Sequence, residues 1–160
     1  MSIKWDMVVF LIGGVTYAMI EIMWRGNTHW TMLLLGGLCF LTLYKLFGYM
    51  SNYSLIEKCV LGAIVITALE FIVGCIVNLT FHMNVWNYSR MPLNLSGQIC
   101  ILYSTLWGFL CIPINFIANK IRKVAESWIS LYMNKCIFFK IIKIHKREML
   151  RHNASAFHRK

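Results

Sequence analysis

Glu70 is the residue of this chain that most needs a chemical explanation. It sits in GAIVITALEFIVGCIVN, Gly62 to Asn78, an otherwise apolar run. At about 1.5 Å per residue it lies about 16 Å along a helix that starts at Cys59. In a bilayer that depth is close to the midplane, where insertion scales charge an acid about 2.5–3.5 kcal/mol unless it is protonated, paired or hydrated. Asn78 falls two turns later on the same helix face, and Gly74 between them leaves that face open to a neighbouring helix or to water. The cations placed to meet it are Arg25 and Arg90. The alternative is a neutral Glu70 that ties helices together by hydrogen bonds.

Glu21 is the second acid in an apolar run. Tyr17 precedes it by four residues and Arg25 follows by four, so the three share one face and Glu21 and Arg25 are spaced for an ion pair. His29 comes one loop turn later. The pair either neutralises itself at the membrane interface or lines a pocket. A third polar group is the loop from Phe81 to Asn94, with His82, Asn84, Trp86, Asn87, Tyr88, Arg90 and Asn94, stiffened at its exit by Pro92. Gln98 continues it. Trp86 and Tyr88 also suit a membrane interface, and the Asn residues suit turns.

Taken together, Glu21, Arg25, His29, Glu70, Asn78, His82, Asn87, Tyr88, Arg90 and Gln98 make the candidate ligand-binding set. They predict an outward-facing polar cavity floored by Glu70, where carboxylates take up a proton or cation, or Arg25 and Arg90 clamp an anion. Two Glu and two His could ligate a divalent metal, but no HExxH-like spacing joins them. There is no phosphate-binding glycine loop and no nucleophile elbow, so no cofactor is expected.

These residues must be positioned by membrane helices. The chain is 59% hydrophobic and 14% charged, against about 25% charged in an ordinary soluble domain. Its 160 residues leave room for four spans of about 20 residues. The expected spans are Met7 to Trp24, Thr31 to Phe47, Cys59 to Leu79 and Leu95 to Phe116, with Pro113 bending the last turn of the fourth. The first apolar run ends in Glu21 and Trp24 rather than at a small-residue cleavage site, so it is expected to be retained as a span. Six cysteines without metal-site spacing are expected to be small core residues.

Eleven of the sixteen Lys and Arg residues lie between Lys120 and Lys160, which predicts a cytoplasmic C-terminus and, with four spans, a cytoplasmic N-terminus. Lys45 and Lys58 then fall at inner helix ends. The tail keeps Ile121, Ala125, Trp128, Tyr132, Cys136, Phe139 and Ile142 at roughly helical spacing, interrupted by Lys135, Lys140 and Lys143. It is expected to be a basic amphipathic helix on the inner leaflet, facing anionic headgroups. A docking surface for a cytoplasmic partner would use the same residues. Nucleic-acid binding is not expected, because a basic inner flank follows from orientation alone. The fold expected is therefore all-α: a four-helix integral membrane bundle over 1–118, then a cytoplasmic basic amphipathic tail over 119–160.

The residues already described resemble those of the putative ABC-transporter type IV permeases, the CmpB-like bacterial membrane proteins. The resemblance rests on GGLCF, Gly36 to Phe40, on Gly62 to Asn78, and above all on NVWNYS and MPLNLSGQIC, Asn84 to Cys100. YAMIEIMWRGNTHWTM, Tyr17 to Met32, is similar to the family's first hairpin. At position 87, where the family string often carries Asp, this chain has Asn. The resemblance implies a multi-pass cell-membrane protein of permease type, with an ATPase partner or a homo-oligomer supplying the remainder of a transporter. The expected function is a small transport-type component binding a polar ligand or ion. The alternatives are a membrane-embedded enzyme acting on a lipid or headgroup, with Glu21 or Glu70 as acid or base and His29 or His82 assisting, and a structural or regulatory subunit.

Overall fold

The computed structural model describes residues 3–157. Four helices dominate it: α1 (Ile3–Arg25), α2 (Trp30–Tyr49), α3 (Leu55–Gly74) and α4 (Ile101–Phe157). Each contains a stretch long and apolar enough to cross a membrane, and the protein is an all-α, multi-pass membrane bundle. Two compact units divide the chain, one ending at Asn119 and the other beginning at Lys120, so α4 contributes its first part to one and the remainder to the other.

In the first unit α1 and α2 form a tight hairpin. Gly36 permits the approach, because a Cβ there would overlap the side chain of Tyr17. At one end of this hairpin Lys45 reaches Asp6 at 2.9 Å. The α3 start is a capping box: the Ser54 hydroxyl takes the Glu57 N–H while the Glu57 carboxylate takes the Ser54 N–H, satisfying two donors that a helix start otherwise leaves open. Leu43, Phe47, Ile66 and Cys111 form one buried cluster across α2, α3 and α4. Thr67 donates to Ser104 at 3.1 Å and joins α3 to α4. A second cluster, Met32, Leu35 and Trp86, packs with Leu69 and Val73. The described cysteines are unpaired, with Cys100 and Cys111 buried.

Two boundaries differ from expectation. The last turn of the third span is a π-helical segment, Cys75–Thr80, in which Phe81 N–H donates to the Ile76 carbonyl at 3.0 Å. The fourth span does not start at Leu95. Asn94–Leu95 and Ile99–Cys100 instead pair as an antiparallel hairpin, β1 and β2. Ser96 and Gly97 both have positive φ, 51° and 67°, and Gln98 N–H closes on the Leu95 carbonyl at 3.0 Å, the geometry of a type I′ turn. The helix then starts at Ile101 and its apolar candidate span runs to Leu131. Pro113 lies well inside α4 rather than in its last turn, as membrane helices tolerate when neighbours compensate the lost backbone bond.

In the second unit, the chain continues as helix to Phe157. Trp128, Ile129, Leu131, Ile137 and Phe138 are exposed, as are Lys135 and Lys140. The expected face at Tyr132, Cys136, Phe139 and Ile142, and Lys143 beside it, lies outside the residues whose side chains are described.

Candidate functional site

Glu70 is 2% exposed, so both carboxylate oxygens need partners from the protein or from a ligand. Trp107 of α4 donates its indole N–H to Oε2 at 2.8 Å, and Tyr88 of the 81–94 loop donates its hydroxyl to Oε1 at 3.1 Å. Burial, and after it the Glu70 charge, push the Tyr88 hydroxyl well above the ordinary phenol range. It therefore remains a donor. Both partners are neutral. Arg25 is paired with Glu21 and Arg90 is exposed, so neither is the partner of Glu70.

Aromatic rings surround this carboxylate. Tyr88 stacks on Tyr103 with centroids 4.6 Å apart, Tyr103 lies 6.3 Å from Trp107, and Trp107 lies 6.1 Å from Tyr17. Below them a cavity of about 170 Å³ opens between the four spans. Glu70 is its acidic residue. Its walls include Ile12, Leu35, Phe40, Ile66, Leu110 and Ile114, with Thr16, Tyr17, Cys39 and Trp107. Ile12, Ile20 and Ile117 line it and are also exposed on the bundle surface, so its mouth faces sideways between α1 and α4.

Glu21, Arg25, Asn78 and Gln98 lie in networks whose polar groups are mostly spent on one another and on the loop backbone. Glu21 and Arg25 pair at 2.8 Å. Thr28 donates its hydroxyl to the other Glu21 oxygen, and Arg25 also donates to the Val85 carbonyl at 2.8 Å. Asn78 is buried. Its amide donates to Gln98 Oε1 at 2.9 Å and to the Trp86 carbonyl at 3.1 Å, while its oxygen takes the Val85 N–H at 2.8 Å. The Trp86 indole donates to the Gln98 carbonyl at 2.9 Å. Gly74 admits this layer, since a Cβ there would stand 2.8 Å from Gln98 Oε1. The result is a plug of loop and hairpin tied to α1 and α3.

The remaining candidates are dispersed. His29 caps α2, its Nδ1 2.8 Å from the Thr31 hydroxyl. Asn87 takes the Ser89 N–H at 2.8 Å in a local turn. His82 is exposed with a left-handed backbone, φ 53°, and Arg90 is exposed. The geometry thus separates the single polar cavity expected from sequence into a polar plug at one end of the bundle and an apolar cavity between the spans. Only Glu70 of the ten lines the cavity. The reason is local: Arg25 is one helical turn from Glu21, so that pair forms with little ordering cost before any longer reach toward Glu70. Tyr17, Tyr103 and Trp107 were missed as site residues. The i, i+4 spacing of Tyr103 and Trp107 on one face of an apolar helix was the available signal.

Comparison with known proteins agrees with this membrane architecture. Residues 7–145 match the family model described as Putative ABC-transporter type IV, and the chain belongs to that family. No curated protein and no solved structure matches it.

Proposed function

We propose that this family member is a transport-type membrane component whose ligand occupies the cavity around Glu70, while the outer polar network serves as the plug that shapes it. The observation that carries this reading is the position of the cavity: four spans wall it, and a buried carboxylate stands in an otherwise apolar lining. Ligand sites are characteristically concave and apolar with a few placed polar groups. Glu21, Arg25, Asn78 and Gln98 are assigned to the plug, Glu70 to the cavity and Tyr88 to the loop that holds Glu70 from outside the cavity lining. His29, His82, Asn87 and Arg90 are not needed for binding in this reading.

The orientation proposed is the one the basic residues favour, with both termini cytoplasmic and the plug outside. The chain carries no nucleotide-binding glycine loop, so an ATPase partner is part of the proposal, and the basic tail is proposed to rest on anionic headgroups.

The test uses the purified full chain in nanodiscs with N-phenyl-1-naphthylamine, a neutral apolar fluorophore excited by energy transfer from tryptophan. Saturable transfer is expected with the wild type, and Thr16→Phe, which fills the cavity from α1, should weaken it at least tenfold. Equal saturable binding by wild type and a folded Thr16→Phe would remove the cavity as the site.

A further inference from the structure

From the same cavity we infer the chemical class of its occupant: a small apolar organic cation, such as a quaternary or protonated amine. This rests on the cavity reading above and adds the ligand's charge to it. Three observations converge. Glu70 is buried and, among the described residues, its side-chain partners are the neutral Tyr88 hydroxyl and Trp107 indole, so an ionised Glu70 is met there by no cationic side chain. A carboxylate oxygen accepts more than one hydrogen bond, and one face of Glu70 reaches the cavity.

Second, the carboxylate is set in aromatic rings. Tyr17 and Trp107, 6.1 Å apart, both line the cavity. A cation within about 6 Å of a ring centroid is drawn to the ring face, most strongly to Trp, and the attraction grows when the site is desolvated. Ring faces beside a lone carboxylate favour a positive ligand and oppose an anion, which would meet the Glu70 charge with no arginine to offset it.

Third, the walls below the rings are aliphatic, and the mouth lies among the exposed residues Ile12, Ile20 and Ile117. A hydrated inorganic ion would have to leave its water for a lining that offers one carboxylate, and burying an ion without compensating oxygens is costly. An organic cation carries its own apolar surface and enters from the hydrocarbon side of the bilayer. Its charge meets Glu70 while its hydrocarbon part fills the aliphatic end.

Calorimetric titration of the full chain in nanodiscs with benzyltrimethylammonium, and with its uncharged carbon isostere neopentylbenzene, tests this. The wild type should bind the cation at least tenfold more tightly than the isostere. Glu70→Gln should erase that preference, and Glu70→Asp should keep part of it. Equal affinity for cation and isostere in the wild type would overturn the inference, and this comparison needs no variant to fold. Undiminished cation binding by Glu70→Gln would overturn it too. Saturable uptake of N-phenyl-1-naphthylamine with no preference for the cation would remove the ligand class while leaving the cavity reading in place; failure of both probes would remove the cavity reading itself.

Discussion

The hydroxyl of Tyr88 lies 3.1 Å from Oε1 of Glu70, so the loop between the third and fourth spans is fastened to a carboxylate buried in the third span. The loop is thereby part of the bundle, tied by residues 18 positions apart in sequence.

The Trp107 side of the same carboxylate gives the first expectation. Trp107→Phe keeps the ring and removes the indole donor held at 2.8 Å from Oε2. Leaving a buried acceptor unpaired costs about 1–3 kcal/mol. A lowered thermal midpoint in detergent should result, and in Glu70→Gln the added Trp107→Phe change should cost measurably less. Equal losses in both backgrounds would show that the two side chains do not act together.

The plug is expected to be held mainly by Asn78, which satisfies Val85 N–H, the Trp86 carbonyl and Gln98 Oε1. Asn78→Leu should therefore destabilise the plug by about 1–3 kcal/mol for each group left buried without a partner. Hydrogen exchange at the Val85 amide should accelerate in this variant. Unchanged protection there would contradict the role given to Asn78.

Gly36→Ala should lower the thermal midpoint, because the new Cβ meets the Tyr17 side chain and overpacking a close contact costs about 1–3 kcal/mol. The same change should alter the environment of Trp107, which Tyr17 touches, and its fluorescence maximum reads this. A midpoint at or above the wild type would show that α1 and α2 can separate there freely.

Topology is checked by labelling Asn84→Cys in intact cells with a membrane-impermeant maleimide. Reaction from outside is expected. Labelling only after the cytoplasmic face is opened would invert the orientation and put the plug on the inner side.

Much of the architecture was legible because it is local. The four spans follow from apolar runs separated by RGNTHW, GYMSNYS and the loop after Thr80, and the Glu21–Arg25 pair follows from helical periodicity. The hairpin from Asn94 to Cys100 was not read, since Leu95, Ile99 and Cys100 are apolar enough to extend a span. The Ser96-Gly97 dipeptide that makes its turn was the overlooked mark. The surroundings of Glu70 were illegible for another reason: Trp107 lies 37 residues away, and no local spacing rule reaches that far. Polarity in the sequence located the polar end of the bundle, but polar residues that satisfy each other make a plug, whereas the cavity is defined by aliphatic side chains that carry no such signal.

The central claim, that Glu70 is reached from the bilayer through the cavity, is tested most directly with the small apolar carboxyl reagent N,N′-diisopropylcarbodiimide on the membrane-embedded protein, followed by mass spectrometry of the modified residue. Glu70 lines the cavity, whereas the equally secluded Glu21, 5% exposed, is engaged by Arg25 and Thr28 in the plug. The account predicts modification of Glu70 well before Glu21, slowed by Thr16→Phe and by benzyltrimethylammonium. Modification of Glu21 at the same rate, or no modification of Glu70, would contradict it.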